Sequence, residues 1–153
     1  MRKLPEVEEA KCLMNEAMDW SVFKWLFEKR RVRETADMAN AALDRLSQTT
    51  KSRWSSDLKS AYKQIGSKKH AGTRRQDGEA EFEGISEIEV LVRKVKAADD
   101  AAHRARMKAE DTFDEAERLL NTELAREGCR QAIESWELHE KAIRAAESAG
   151  KVS

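Results

Sequence analysis

Residues 22–46 read VFKWLFEKRRVRETADMANAALDRL, and this stretch decides the expected fold. Apolar or small residues recur in it at heptad spacing: Val22, Trp25, Val32, Ala36, Ala39, Leu43 and Leu46. Lys29 takes one slot of the repeat. Such a repeat is typical of a helix that keeps one narrow face against another helix over several turns. We therefore expect a long helix with a helical partner.

The composition agrees with long, solvent-exposed helices. Of the 153 residues, 38% are charged, while one is Pro and six are Gly. No window approaches the ~18 uninterrupted apolar residues of a membrane span, and the amino terminus lacks the apolar run of a secretory signal. Cys12 and Cys129 show no metal or redox spacing, which is typical of a reducing compartment. We expect a cytoplasmic protein of one helical domain without a transmembrane segment.

A first helix is predicted over about residues 5–65. Pro5 is tolerated in a first helical turn, and Gly66 can take the left-handed conformation that ends a helix. Its weakest part is the segment 47–52, whose hydroxyl side chains compete for backbone hydrogen bonds. No Gly or Pro interrupts the segment between Pro5 and Gly66. A single uninterrupted helix is the expectation.

A mobile loop over about 66–85 and a second helix over about 87–149 follow. Residues 66–83 contain three Gly and show no hydrophobic period. Ser86 and Glu89 form a capping box, which announces the next helix. The seam of that helix consists of Ile88, Val92, Val95, Ala102, Ala109, Phe113, Ala116, Leu120 and Leu124. Asp99 and Arg106 fall in seam slots, where polar residues weaken or fix a pairing register.

Charge and side-chain size favour pairing of the two halves. Residues 1–76 hold 17 Lys/Arg and 10 Asp/Glu, whereas residues 77–153 hold 12 and 19. Opposite charges attract halves that lie side by side. The fold class predicted is all-α, with two long helices in an antiparallel coiled-coil hairpin that pairs positions whose numbers add to about 151. The alternative is a four-helix bundle from helices broken near Arg30 and Gly128.

One end of the predicted hairpin carries too many apolar residues for two helices to bury. Four of the nine aromatic residues lie within positions 20–27. Trp25 continues the seam, whereas Trp20, Phe23 and Phe27 form a second stripe on another side of the helix. Monomers rarely leave such a stripe bare, although the end could also fold over its own last turns. We expect a structural, accessory or adaptor protein that forms a homo-oligomer or docks on a larger complex through Trp20, Phe23, Trp25, Phe27, Ile133 and Trp136.

Basic residues suggest an alternative function in nucleic-acid or anionic membrane-surface binding. The possible polyanion contacts in and beside the loop are Lys68, Lys69, Arg74 and Arg75. Residues 29–33 form a second basic group beside the aromatic stretch. Lys and Arg neutralise phosphates, and an amphipathic helix with aromatic and basic sides can lie on a bilayer. The sequence carries no recognised nucleic-acid motif, so this function stays the alternative.

No pattern indicates catalysis, a cofactor or a metal. The chain lacks Glu-x-x-His, a Gly-rich phosphate loop and a Ser-centred elbow. The antiparallel register would set His139 opposite Cys12, and thiolate with imidazole is a reasonable metal-ligand pair. A histidine satisfied by its helix neighbours is the simpler interpretation. We therefore expect no enzyme, no cofactor and no metal site.

Overall fold

The computed structural model describes residues 3–68 and 87–152, apart from the side chains of 66–68. These ranges form five α-helices and no strand, which confirms the all-α prediction. The helices are α1 Pro5–Ala17, α2 Val22–Ser52, α3 Ser56–Lys68, α4 Glu87–Leu119 and α5 Thr122–Val152. The loop predicted over 66–85 is wrong for residues 66–68, whose backbone continues α3 beyond the predicted end at Gly66. Its other residues lie outside the described ranges.

The predicted continuous helix over 5–65 is wrong, because serine residues start new helices within it. At the first interruption the Ser21 hydroxyl accepts a hydrogen bond from the backbone N–H of Lys24 at 3.2 Å. At the second, the Ser55 hydroxyl accepts from the N–H of Leu58 at 3.3 Å. Serine favours the position before a helix because its oxygen satisfies a free backbone donor. The interruption after Ser52 follows the hydroxyl-rich segment directly.

The predicted continuous helix over 87–149 is also interrupted, at Leu120 and Asn121. The N–H of Asn121 bonds to the carbonyl of Ala116 at 3.0 Å, and that of Leu120 to Glu117 at 3.4 Å. This is the Schellman arrangement that ends a helix. The Asn121 side chain then accepts from the N–H of Leu124 at 3.1 Å and starts α5.

The four-helix alternative predicted helix breaks near Arg30 and Gly128, and this prediction is wrong as well. Arg30 lies inside α2 and Gly128 inside α5. Gly128 has a packing role, because a Cβ atom there would lie 2.9 Å from the Phe113 ring. The glycine therefore allows α4 and α5 to approach closely.

Helix α5 is the central element of the packing. It contacts α1, α2 and α4, and its buried residues include Ala125, Gly128, Cys129, Ala132, Ser135, Ala142, Ala146 and Ala149. Small side chains let helix backbones approach closely and leave room for larger residues of the facing helices. Helix α4 runs antiparallel to α5, and α3 packs against the first part of α4.

Helices α2 and α4 flank α5, and ion pairs bridge the groove between them. Arg33 pairs with Asp114 at 2.9 Å. Arg106 pairs with Asp44 at 3.0 Å, and Lys51 with Asp99 at 2.6 Å. These pairs run in opposite directions along the two helices, so α2 and α4 are antiparallel. The polar seam residues Asp99 and Arg106 thus link the two helices.

Two clusters of buried residues stabilise opposite ends of the structure. The larger one joins α1, α2, α4 and α5 and contains Trp20, Trp25 and Trp136. The smaller one, which we call the closed end, consists of Trp54, Leu58, Val92, Val95, Ala146 and Ala149. Within the described ranges, every helix is too short or too polar to span a lipid bilayer.

Candidate docking surface

Buried aromatic rings hold the first turn of α2 in place. Trp20 and Trp25 are 6% and 7% exposed and meet edge to face, with ring centroids 5.5 Å apart. The Arg126 guanidinium of α5 donates a hydrogen bond to the Trp20 carbonyl at 3.1 Å. An edge-to-face pair adds about 0.5–1.5 kcal/mol beyond its burial. The start of α2 is therefore fixed against α5.

The opposite side of that turn is apolar and exposed. Val22, Phe23, Leu26 and Phe27 expose 52%, 74%, 46% and 86% of their surface. At the end of α4, Leu119 and Leu120 are 49% and 69% exposed. Val22, Leu26 and Leu120 line one cleft, which joins the two groups. We call these six residues the apolar patch. Contiguous exposed apolar patches are typical of interaction sites, which makes this patch a candidate docking surface.

The cleft opens between α2, the end of α4 and the start of α5. It has a volume of about 140 Å³, and its apolar walls include Trp25, Phe113, Ala116 and Ala125. A cavity of ~150 Å³ holds a benzene ring, so the cleft has the size of one large apolar side chain. At its rim, Arg33 and Glu117 pair with each other at 3.0 Å. The walls thus offer apolar contact, and these rim charges already neutralise each other.

Leu120 adopts a backbone conformation that is unfavourable for its side chain. Its φ angle is 52°, in the left-handed region, where a glycine usually ends a Schellman motif. A side chain there costs about 1–2 kcal/mol. The leucine is largely exposed, so burial within the chain does not offset this cost. Strained backbone concentrates at functional positions, which makes Leu120 a candidate contact residue.

The structure separates the six residues predicted for protein interaction into buried and exposed groups. Trp20, Trp25 and Trp136 are buried, and Ile133 is half-buried against the larger core cluster. Phe23 and Phe27 are exposed. The difference arises because the interruption at residues 18–21 lets α1 fold back beside α2 and α5, which a continuous helix could not do. Of the six residues, the two phenylalanines are the most accessible to a partner that binds this conformation.

Sequence reasoning missed four members of the apolar patch. Val22 and Leu120 occupy seam slots and were expected to be buried, and Leu26 and Leu119 were not singled out. The adjacent Leu119 and Leu120 carried a usable signal, because a helix seam cannot bury two consecutive leucines equally.

The side chains predicted for polyanion contact belong to the part of the chain that the structure does not describe. Lys69, Arg74 and Arg75 lie outside the described residues, as does the side chain of Lys68 at the end of α3. The basic group 29–33 is described, and three of its members pair with carboxylates. Arg30 pairs with Glu34 at 2.8 Å, Arg31 with Glu28 at 3.4 Å, and Arg33 with α4.

Burial changes the pKa of two titratable groups of α5. Burial lowers the pKa of His139, although Asp44, 3.9 Å away, acts in the opposite direction. Burial raises the pKa of Cys129 to about 12, so it stays a neutral thiol at pH 7. Cys12 is exposed. Among the described residues, no group of three or more His, Cys, Asp or Glu could hold a metal ion.

Comparisons with protein-family models, curated protein sequences and solved structures find no match to this chain.

Proposed function

We propose that this chain is a non-catalytic adaptor or accessory protein of the cytoplasm. It self-associates or docks on a larger protein complex through the apolar patch. The observation that carries this proposal is the open cleft lined by Val22 and Leu26, with the exposed Phe23 and Phe27 on the same two turns of α2. The patch lies at the aromatic end that the sequence prediction named. The proposed anchors are now the phenylalanines, because the tryptophans are buried.

The energetics of interfaces support this role for the patch. A few large side chains that enter well-packed pockets carry most of the energy of a typical interface. The patch offers both parts, since Phe23 and Phe27 project from α2 and the cleft accepts a side chain of similar size. The fold gains little from either phenylalanine, because both are mostly exposed.

The non-catalytic character rests on the chemistry of the cleft. Its walls are mainly apolar side chains, and the charges of Arg33 and Glu117 at its rim form an ion pair. Lys29 is the other charged residue of the lining. Acid–base catalysis needs titratable groups held near the reacting atoms. The apolar walls are suited to binding an apolar side chain.

Site-specific photo-crosslinking in the cells that make the protein tests the proposal. A photoreactive phenylalanine analogue replaces Phe23, and in a second variant it replaces Met38. Met38 is 58% exposed on the same helix but lies outside the patch, so it is the matched control. A discrete adduct from position 23 that is missing from position 38 is expected. Equal adducts at both positions, or none at position 23, would contradict docking through the patch.

Binding to an anionic membrane or a nucleic acid is the second candidate. Lys24 and Arg31 lie on the same helix surface as Phe27, an arrangement that suits a bilayer interface. Their ion pairs with Glu28 weaken the case. Flotation with anionic vesicles, or retention on nucleic acid, should then be lost as salt is added. Interaction that ignores salt excludes this candidate.

A further inference from the structure

We infer that the partner of the cleft is a second copy of this chain, joined face to face by a two-fold axis that runs along the helices. Each copy then places phenylalanines of its apolar patch against the cleft of the other. This inference rests on the proposed docking function and adds the identity of the partner.

The projecting residues and the receiving cleft share the first two turns of α2. Phe23 and Phe27 come from the same two turns of α2 as the cleft residues Val22 and Leu26. The cleft volume of about 140 Å³ is close to what a phenyl ring fills. A surface that carries both the projecting side chains and the cleft is self-complementary, so two copies can bind each other through it.

The helices on the two sides of the cleft carry opposite charge. Residues 22–34 of α2 hold five Lys/Arg and two Asp/Glu, whereas residues 110–121 hold five Asp/Glu and one Arg. A two-fold axis along the helices sets the basic side of one copy beside the acidic side of the other, twice. Complementary charges favour this pairing and oppose arrangements that bring like sides together.

The same operation repeats a pairing that the single chain already makes. Helices α2 and α4 are antiparallel within one copy, where Arg33 bridges to Asp114 and Arg106 to Asp44. The two-fold axis along the helices sets α2 of one copy antiparallel to α4 of the other. Because each copy uses the same patch, the contact closes at two subunits and leaves no open patch for further growth.

Charge reversal in two variants tests this arrangement. In the first variant, Arg30→Glu and Arg31→Glu make the basic side acidic. In the second, Asp111→Lys and Asp114→Lys make the acidic side basic. All four side chains are exposed, although Asp114→Lys also removes the ion pair with Arg33 within one copy. Urea unfolding of each variant checks that the fold tolerates the changes. Each variant alone brings like charges together at both contacts, whereas a mixture of the two restores opposite charges.

Sedimentation equilibrium of the purified chain is the measurement. We expect a dimer for the unchanged chain and at least ~10-fold weaker dimerisation for each charge variant alone. The mixture should recover a heterodimer. Phe23→Lys together with Phe27→Lys should weaken dimerisation by about 30-fold or more. Met38→Lys is the control and should leave the dimer intact. Circular dichroism checks that every variant keeps its helices.

Three results would overturn the inference: a monomer at all concentrations, a dimer that Phe23→Lys with Phe27→Lys leaves unchanged, or a mixture that fails to pair. If the chain is a monomer but position 23 still crosslinks to a different protein in cells, the dimer is contradicted and the docking function is supported. A monomer that also gives no crosslinked adduct at position 23 would contradict both the dimer and the docking function.

Discussion

The closed end and the apolar patch arise from similar stretches of sequence, but their aromatic residues are buried to different extents. Each follows a helix interruption at which a serine starts the next helix. The closed end contains Trp54, and the patch lies beside Trp25. At the closed end, Trp54 is buried and donates its Nε1–H to the Ala146 carbonyl at 2.8 Å. Beside the patch, Trp25 is buried, but its Nε1 finds no hydrogen-bond acceptor in the part of the chain that the structure describes.

The neighbours of the two tryptophans differ more strongly. Tyr62 packs edge to face on Trp54 and donates its hydroxyl to Asp99 at 2.5 Å. Burial and this hydrogen bond raise the pKa of Tyr62. Phe23 and Phe27, by contrast, lie beyond Trp25 on the solvent side of α2. The closed end therefore uses its aromatic residues for stability, while the patch leaves two of them available for binding.

The largest expected effect separates the two ends by stability. Trp54→Ala should lower the free energy of unfolding by about 3–5 kcal/mol, because it opens a cavity. It also leaves the Ala146 carbonyl without this hydrogen bond. Urea unfolding followed by circular dichroism measures the loss. Phe27→Ala is the matched variant and should change stability by no more than about 0.5 kcal/mol. Similar losses at both positions would erase the distinction.

A smaller effect is expected where α4 and α5 meet behind the cleft. Gly128→Ala places a methyl group 2.9 Å from the Phe113 ring. Overpacking costs about 1–3 kcal/mol, against which alanine gains about 1 kcal/mol as the better helix former. Urea unfolding should show a net loss of about 1 kcal/mol. Phe113→Leu in the same chain should recover part of it. A stabilised Gly128→Ala protein would show that this contact is not tight.

Leu120→Gly should raise stability while weakening docking. Glycine relieves a left-handed strain of about 1–2 kcal/mol and loses about 0.5–1 kcal/mol through its freer unfolded chain. A net gain of about 0.5–1 kcal/mol is expected in urea unfolding under dilute conditions. Leu120→Ala is the control that removes the side chain but keeps the strain. Stability that falls with glycine would refute a strained Leu120.

The smallest effect concerns pH and the centre of the molecule. Burial lowers the pKa of His139, whose surroundings include Asp44, Asp99, Arg106 and Lys51. The folded state therefore binds the proton less tightly than the unfolded chain. Stability from this source is complete above about pH 6.5 and falls as the pH drops toward the lowered pKa.

Urea midpoints at about pH 7.5 and 5.5 measure this contribution, because histidine titrates between them. His139→Gln should flatten the difference between the two midpoints. The exposed His103 supplies the control, and His103→Gln should leave the difference unchanged. If His103→Gln flattens the difference between the two midpoints and His139→Gln does not, the attribution of the pH dependence to His139 is contradicted.

The sequence predicted the helices better than their ends. The heptad seam identified Val32, Ala39 and Leu43, which are fully buried, because hydrophobic periodicity reflects which face of a helix is covered. It missed the interruptions because no Gly or Pro marks them. The capping serines Ser21 and Ser55 resemble ordinary surface residues until the structure shows which backbone donors they satisfy.

The structure leaves only part of the predicted interaction surface exposed. The clustering of aromatic residues drew attention to positions 20–27, of which Phe23 and Phe27 are exposed. Which aromatic residues are buried depends on where α1 folds back, and that fold-back requires the interruption that the pattern did not reveal. Trp20 and Trp25 therefore became core residues, while Phe23 and Phe27 remained on the surface.

Native mass spectrometry of the untagged protein, taken gently from its own cells, tests the docking role of the patch most directly. A species heavier than the 17.5 kDa chain is expected, and it should fall to 17.5 kDa when Phe23 and Phe27 are both changed to Lys. The Met38→Lys protein should keep the heavier mass. A mass of 17.5 kDa for the unchanged protein, or a heavier species that survives the double change, would contradict docking through this patch.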